Sequence, residues 1–198
     1  MVYVTLIATF YSTEPFMPAA LTFSPKKIIL VVSTLDSTVK SNIKAVEKTF
    51  GTIAEVKVIK VEKDDIYDTA RKIVEVIDKE PASKDNKIII NVSGGWKTLA
   101  NGILYGCYAR PERIYKIVSN KVGGNELGEL PKLNYNLSTA KREVLQKIVK
   151  RNSRSVADMA KELHRTKGMV YQHLRELKDA GYVDDSFSIT DAGKLALL

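Results

Sequence analysis

The segment Ser-Gly-Gly-Trp-Lys-Thr (93–98) has the residue types of an anion-binding site. Two adjacent glycines let backbone amides turn towards an anion, and Lys97 supplies a positive charge. A helical pattern begins at Lys97, and the N-terminus of a helix favours negative charge. A phosphate or another anionic group is therefore the expected ligand of this segment.

The sequence lacks the residues that several common enzyme chemistries require. A dinucleotide-binding motif needs glycines after the first strand, but no glycine precedes Gly51, and Trp96 stands where a P-loop would need glycine before Lys97. The first 163 residues contain no histidine for base-driven hydrolysis. The single cysteine, Cys107, lies in an apolar helical stretch, where we expect a buried structural thiol. We predict no catalytic residue, no resident cofactor and no metal ligand.

The anion segment is expected to follow the fourth strand of a sheet. Five apolar, β-branched runs alternate with helical patterns, which is typical of a parallel sheet covered on both faces. A Gly-Gly-Asn turn at 123–125 predicts a sixth, antiparallel strand. The fold class is therefore α/β, with a Rossmann-like, mostly parallel sheet. The predicted strands are 2–9, 27–33, 55–61, 87–92 and 113–119, and the predicted helices are 16–23, 37–50, 66–79 and 97–108.

Such a sheet, with strand order 3-2-1-4-5, opens a crevice where strands one and four end. The connections that leave these neighbouring strands run in opposite directions, and ligands bind in the space between them. Two polar segments fall at these ends, Thr-Phe-Tyr-Ser-Thr-Glu (9–14) and the anion segment 93–98. We expect the two segments to face one ligand.

The last third of the chain has a different character. Between Ser138 and Lys178 there are eleven Lys or Arg and four Asp or Glu, so most of the net charge of +8 lies here and favours a polyanionic partner. Short helical patterns at 139–150, after Ser155 and after Thr166 are followed by a hairpin pattern at 181–189 and a further helix after Thr190. This order is that of a winged helix-turn-helix domain.

The third of these helices predicts a DNA-reading face. If Val170, Leu174 and Leu177 are buried, the opposite face carries Gln and Arg, which can bond base edges, and Lys and Tyr, which can reach phosphates. The acidic wing tip, Asp184 and Asp185, is expected to add little. Double-stranded DNA is the expected partner. The predicted DNA-binding residues are Ser155, Arg165, Thr166, Lys167, Gly168, Tyr171, Gln172 and Arg175.

Both parts of the chain resemble known families. The stretches 174–183 (Leu-Arg-Glu-Leu-Lys-Asp-Ala-Gly-Tyr-Val) and 189–193 (Ile-Thr-Asp-Ala-Gly) are similar to winged helices of archaeal and bacterial regulators. The strand-end motif Asn-Val-Ser-Gly-Gly-Trp-Lys (91–97) resembles the CRISPR-associated Rossmann-fold (CARF) domain, although Trp96 replaces its usual small hydroxyl residue. Together they resemble the CRISPR-associated transcriptional regulators. That resemblance implies a homodimer that binds cyclic oligoadenylate, in particular cyclic tetra-adenylate.

The same resemblance assigns roles in the crevice. It implies that Gly94, Gly95 and Lys97 hold phosphate or ribose, while an indole at Trp96 can stack on adenine. The remaining polar residues of the two segments would complete the pocket. The predicted ligand-binding residues are Thr9, Phe10, Tyr11, Ser12, Thr13, Ser93, Gly94, Gly95, Trp96, Lys97 and Thr98.

Two alternatives stay open from the sequence. One is a ring nuclease that cuts the cyclic ligand by positioning a ribose hydroxyl for in-line attack. The other is a ligand-independent repressor whose α/β domain only dimerises. The expected organisation is a sensing and dimerisation domain at 1–130, a linker at 131–136 and the DNA-binding domain at 137–198. Without a signal-peptide pattern or a long apolar run, we expect a cytoplasmic protein with no membrane partner.

Overall fold

A computed structural model describes residues 3–83, 85–121, 126–130, 137–150 and 155–198 of the protein. The chain divides into two compact units, residues 1–134 and residues 135–198. The predicted turn at 123–125 and the predicted linker at 131–136 lie outside the described residues. The domain limits at 130 and 137 therefore stay a prediction.

Six strands among the described residues of the first unit form one sheet, in the order β3-β2-β1-β4-β5-β6. The first five are parallel, and β6 is antiparallel to β5. The expected strand order and the expected sixth strand are both confirmed. The strands are β1 (Tyr3–Thr9), β2 (Lys27–Val32), β3 (Glu55–Lys60), β4 (Asn86–Asn91), β5 (Ile114–Asn120) and β6 (Leu127–Leu130).

The sheet has an apolar core on each face, because successive side chains along a strand point to opposite faces. Leu6 belongs to the core that α1 and α2 cover, together with Val39. Ile7 belongs to the opposite core, with Ile73 of α3 and Ile103 of α4. Burying each such side chain stabilises the fold by about 1.5–3 kcal/mol. The helices are α1 (Met17–Phe23), α2 (Ser37–Phe50), α3 (Ile66–Lys79) and α4 (Lys97–Tyr108).

Cys107 lies in α4 and is fully buried, as the sequence predicts. Its burial raises the pKa of the thiol, because the charged thiolate is poorly solvated there. Within the described parts of the chain, no group of His, Cys, Asp or Glu is placed to hold a metal ion. The helices of those parts also include none with the length and apolar character that a membrane crossing requires.

Two glycines allow α4 to pack closely against α3. A Cβ at Gly102 would lie 2.6 Å from the side chain of Thr69, and a Cβ at Gly106 would lie 2.9 Å from the carbonyl oxygen of Ala70. Both distances are too short for real carbon contacts, so only glycine fits without movement of the helices. The close contact fixes α4, whose N-terminus, at Lys97, is part of the predicted anion segment.

We expect Gly106→Ala to lower the free energy of unfolding of the first unit by up to about 2 kcal/mol, because overpacking outweighs the gain in helix propensity. Urea unfolding followed by circular dichroism measures the change. Gly128→Ala in β6 is the matched control, since a Cβ there would lie 3.6 Å from the Ser119 oxygen, an ordinary contact. Equal losses in the two variants would contradict the role given to Gly106.

The second unit has the order of elements expected for a winged helix-turn-helix. Helix α7 packs against α5 and α6 and buries Val170, Leu174 and Leu177, as predicted. An antiparallel bridge between Val183 and Ile189 forms the wing hairpin. The helices described in this unit are α5 (Thr139–Lys150), α6 (Val156–Glu162), α7 (Lys167–Asp179) and α8 (Asp191–Ala196).

Hydroxyl groups cap the starts of α6, α7 and α8. Ser155 Oγ accepts a hydrogen bond from the Asp158 amide, and Thr166 Oγ1 accepts one from the Met169 amide, each at 3.2 Å. Thr190 Oγ1 accepts in the same way from the amide of Gly193. A cap of this kind contributes about 1 kcal/mol. The caps fix where α7 begins, and so which of its residues face outward.

Candidate functional site

The two polar segments meet at the carboxyl edge of the sheet, where β1 and β4 are neighbours. Ala8 pairs with Asn91 in the parallel ladder, so the chain leaves both strands at the same level. It then leads to α1 on one face and to α4 on the other. The Gly94 amide donates a hydrogen bond of 3.0 Å to Thr9 Oγ1 and joins the two loops. The two segments therefore adjoin at the reversal of strand order, which is where the crevice is expected.

The turn between β4 and α4 requires its two glycines for steric reasons. A Cβ at Gly94 would lie 2.8 Å from the backbone oxygen of Thr9. Gly95 has a φ of +70°, and a Cβ there would lie 2.9 Å from Leu99. Larger residues would push the loops apart or strain the backbone. Local packing thus explains both glycines, and it also sets the direction in which the start of α4 points.

Helix α4 begins without a side-chain cap. Its N-cap residue, Trp96, has an extended backbone, and its side chain accepts no hydrogen bond from the first turn. By contrast, Asp36 caps α2 and Asp65 caps α3 through side-chain carboxylates. The first amides of α4 therefore keep their donor capacity, and the helix dipole adds partial positive charge at the same place. This end of α4 is suited to an anion.

Aromatic and basic side chains surround the start of α4. The rings of Trp96, 54% exposed, and Tyr11, 38% exposed, meet edge to face at a centroid distance of 6.4 Å. Lys97 is exposed and has no hydrogen-bond or ion-pair partner among the described residues. Lys63 Nζ lies 6.0 Å from the Trp96 ring centroid. A surface with exposed rings beside amines and helix amides can take a nucleobase together with a phosphate.

Other predicted ligand residues have positioning roles. Phe10 is only 2% exposed, and its ring packs against Phe16 in the core at 5.8 Å, so its side chain does not reach the crevice. Thr9 is also buried, with Oγ1 bonded to the Gly94 amide. The Thr98 hydroxyl donates to Asp64 at 3.2 Å. Among the predicted ligand residues of the two loops, the partly exposed side chains are those of Ser12, Thr13 and Ser93.

Two asparagines outside the predicted ligand-binding set, Asn91 and Asn120, hold the loops in place. Asn91 is fully buried. Its side-chain Nδ2 donates a hydrogen bond to the backbone oxygen of Pro15 at 3.3 Å, and its Oδ1 accepts one from the backbone amide of Ser93 at 2.9 Å. The Ser93 hydroxyl also bonds Asn91 and accepts from the Asn120 amide at 2.9 Å. The sequence feature that could have identified Asn91 is its position, as a polar residue at the end of the apolar run of β4.

The outward face of α7 is basic and largely without partners. Lys167, Tyr171 and Arg175 are exposed, and none of them makes a hydrogen bond or ion pair with the residues that the structure describes. Gly168 is exposed on the same face and leaves room for close approach. Gln172 differs, because its amide donates to Glu176 at 3.0 Å. The structure thus brings together five of the eight predicted DNA-binding residues on one helix face.

The other three hold the unit together. Ser155 and Thr166 are helix caps, as described above. Arg165 is partly buried and pairs with Glu143 of α5 at 2.8 Å, so its guanidinium ties the turn to the first helix of the unit. His164 is exposed and His173 is partly buried.

Both acids of the wing tip, Asp184 and Asp185, are bonded to other residues of the second unit. Asp184 Oδ1 accepts from the amides of Ser186 and Ser188, both at 2.8 Å, and shapes the hairpin. Asp185 pairs with Lys178 at 2.8 Å, and the hydrogen bond from Lys178 lowers the pKa of that carboxyl group. These contacts give the two acids a structural role. The small part expected of the wing in binding phosphates stays a prediction.

Fold and sites together define a Rossmann-type α/β unit followed by a winged helix-turn-helix. The family model described as "HFX_2341_N:-like, N-terminal" matches residues 6–121. Because the match covers more than half of the chain, the protein belongs to this family. A second model, described as bacterial regulatory protein, arsR family, matches residues 138–185.

The chain is similar to several solved structures. The chain is similar to a "Type III CRISPR defence DNA nuclease activated by cyclic oligoadenylate" (13% identity, TM-score 0.51, covering 91% of this chain and 34% of that one). It is also similar to protein VC1899 from Vibrio cholerae (9% identity, TM-score 0.52, covering 97% and 56%). Can2 from Sulfobacillus thermosulfidooxidans, solved with cyclic tetra-adenylate, matches at 15% identity and a TM-score of 0.49, covering 98% and 64%.

The chain spans less than two thirds of the length of each of these three structures. No curated protein matched the chain. The expected fold class, a Rossmann-like, mostly parallel sheet with a C-terminal winged helix-turn-helix, is confirmed.

Proposed function

We propose that the protein is a CRISPR-associated transcription regulator, a cytoplasmic homodimer that binds double-stranded DNA and responds to a cyclic oligoadenylate. One observation carries the proposal. The segment that matches an arsR-type helix-turn-helix exposes Lys167, Tyr171 and Arg175 on α7, opposite a buried apolar face. These three side chains make no hydrogen bond or ion pair with the residues that the structure describes. A helix of this kind enters the major groove, where such side chains reach phosphates and base edges.

The crevice of the first unit supports a nucleotide ligand. Trp96 and Tyr11 offer ring surfaces for adenine, while Lys97 and the uncapped start of α4 offer donors for a phosphate. The type III CRISPR nuclease that shares this fold is described as activated by cyclic oligoadenylate, and the family resemblance of the 91–97 motif points to the same ligand class.

Cyclic tetra-adenylate is the ligand we put forward within that class. A ring of four identical nucleotides has two-fold symmetry, and a homodimer presents two copies of the crevice related by a two-fold axis. Symmetric dimers of helix-turn-helix proteins bind two half-sites about one helical turn apart. A ligand held by both copies can therefore change the separation of the two α7 helices, which is how it would regulate DNA binding.

Trp96 gives a direct test of the ligand, because the chain contains one tryptophan. We expect cyclic tetra-adenylate to quench the fluorescence of Trp96 in a saturable way, since stacking on adenine would cover an exposed indole. Linear tetra-adenylate is the control and should bind more weakly, because it lacks the preorganised ring. Unchanged emission together with no heat in calorimetry would rule out this ligand.

The same mixtures decide between binding and cleavage. A regulator leaves the cyclic ligand intact, whereas a ring nuclease converts it into linear products that mass spectrometry detects. If linear products appear at a rate proportional to protein concentration, the first unit is a ring nuclease and not only a sensor.

A further inference from the structure

One residue of the α7 face is restrained by a neighbouring acid. Gln172 Nε2 donates to Glu176 Oε1 at 3.0 Å, one helical turn further on. The other oxygen of Glu176 pairs with Lys141 Nζ of α5 at 2.9 Å. His173 Nδ1 is a more distant neighbour of the same carboxylate, at 3.9 Å. Gln172, Glu176 and Lys141, which we call the Gln172 clamp, therefore connect the outward face of α7 to another helix.

The chemistry of the clamp fixes which way the Gln172 amide points. The hydrogen bond from Lys141, followed by that from Gln172, lowers the pKa of Glu176, so its carboxyl group is ionised at neutral pH. An ionised carboxylate only accepts hydrogen bonds, so the nitrogen of Gln172 must face it. Lys141 in turn keeps the carboxylate from rotating, because it belongs to a different helix.

We propose that Glu176 is a positioning residue that sets base specificity by holding the Gln172 amide ready for an adenine edge. This inference rests on the proposed DNA-binding function. Adenine recognition by glutamine needs an oxygen towards N6 and an N–H towards N7 at the same time. With one N–H held by Glu176, Gln172 keeps its oxygen and its second N–H, and it does not have to lose side-chain freedom on binding.

The negative charge of Glu176 gives a second, separate effect on DNA binding. Its side chain is 38% exposed beside the basic face, so its negative charge repels phosphates and weakens binding to any DNA sequence. Removing the charge should therefore tighten binding to random DNA while loosening the choice of base. A residue that only stabilised the helix would lower both affinities together.

The test uses full-length protein and a preferred site selected from a random duplex library. For each variant, the Kd is measured for that site, for the site with single adenine replacements, and for random DNA. We expect Glu176→Gln to reduce adenine discrimination by about tenfold, with equal or tighter binding to random DNA. Lys141→Met, which keeps the carboxylate but releases it, should reduce discrimination in the same direction.

Glu162→Gln is the matched control. Glu162 pairs with Lys147 of α5 at 2.7 Å and has a similar side-chain exposure, 35%, but it lies on α6. It should leave adenine discrimination unchanged. The inference is overturned if Glu176→Gln keeps full discrimination, if it weakens specific and random DNA in parallel, or if Gln172→Ala alters no base preference. In these three cases DNA binding itself stands, whereas a wild-type protein that binds no DNA refutes the proposed function as well.

Discussion

Replacing Lys97 by alanine is expected to weaken binding of cyclic tetra-adenylate by about 10- to 100-fold, the loss of one hydrogen bond to a charged group. Lys97 is the first residue of α4, is exposed, and has no partner among the described residues. In the proposed complex, its ammonium and the uncapped amides of the same turn would act on one anion.

Lys48→Ala is the matched control for Lys97. Lys48 is an exposed lysine in the last turn of α2, and the last turn of a helix repels anions. Calorimetry with each variant separates a local contact from a general loss of positive charge. If Lys97→Ala binds like the wild type, or if Lys48→Ala loses as much affinity, the assignment of the start of α4 to a phosphate is wrong.

Arg175 is expected to carry much of the sequence discrimination of α7. Arg175→Ala should cost about 1–3 kcal/mol in the difference between specific and random DNA, because a guanidinium can bond a guanine edge through two donors. Arg175 is exposed and free of partners among the described residues, so it would contact DNA without first breaking an ion pair. Arg175→Lys keeps the charge but loses the planar fork, and should therefore keep random-DNA affinity while losing discrimination.

Lys167 provides the contrasting case. It begins α7 and is exposed, so Lys167→Ala should weaken binding to all sequences alike and reduce the salt dependence by about one phosphate contact. Fluorescence anisotropy at several salt concentrations gives both quantities. An equal loss on specific and random DNA from Arg175→Ala, or a loss of discrimination from Lys167→Ala, would reverse these assignments.

Much of the fold was predictable because local patterns and tertiary packing agree. Helices α2, α3 and α4 have the limits that their apolar spacing predicts. The apolar runs of β1, β2 and β4 are buried at the centre of the sheet, where both faces are covered. In the second unit, hydroxyl caps mark the same helix starts in sequence and structure.

The details of the sites were less predictable, because they depend on pairs far apart in the chain. Asn91 bonds the loop at Pro15, and Arg165 bonds Glu143. Neither pairing has a periodicity that a pattern can reveal. The role of Phe10 was also not predictable from its neighbours in the sequence. It lies in a polar segment, but its ring packs in the core beside Phe16. Sequence alone therefore located both candidate sites but did not separate contact residues from supporting ones.

The most direct test of the proposed function is the Kd of the full-length protein for its selected DNA site, with and without saturating cyclic tetra-adenylate. Saturation is verified on the same sample through Trp96 fluorescence. A ligand-responsive regulator should change this Kd by at least about fivefold, the lower range of allosteric coupling. An identical Kd with the crevice occupied, or a crevice that takes up no ligand, would leave a DNA-binding protein without a sensor and contradict the proposal.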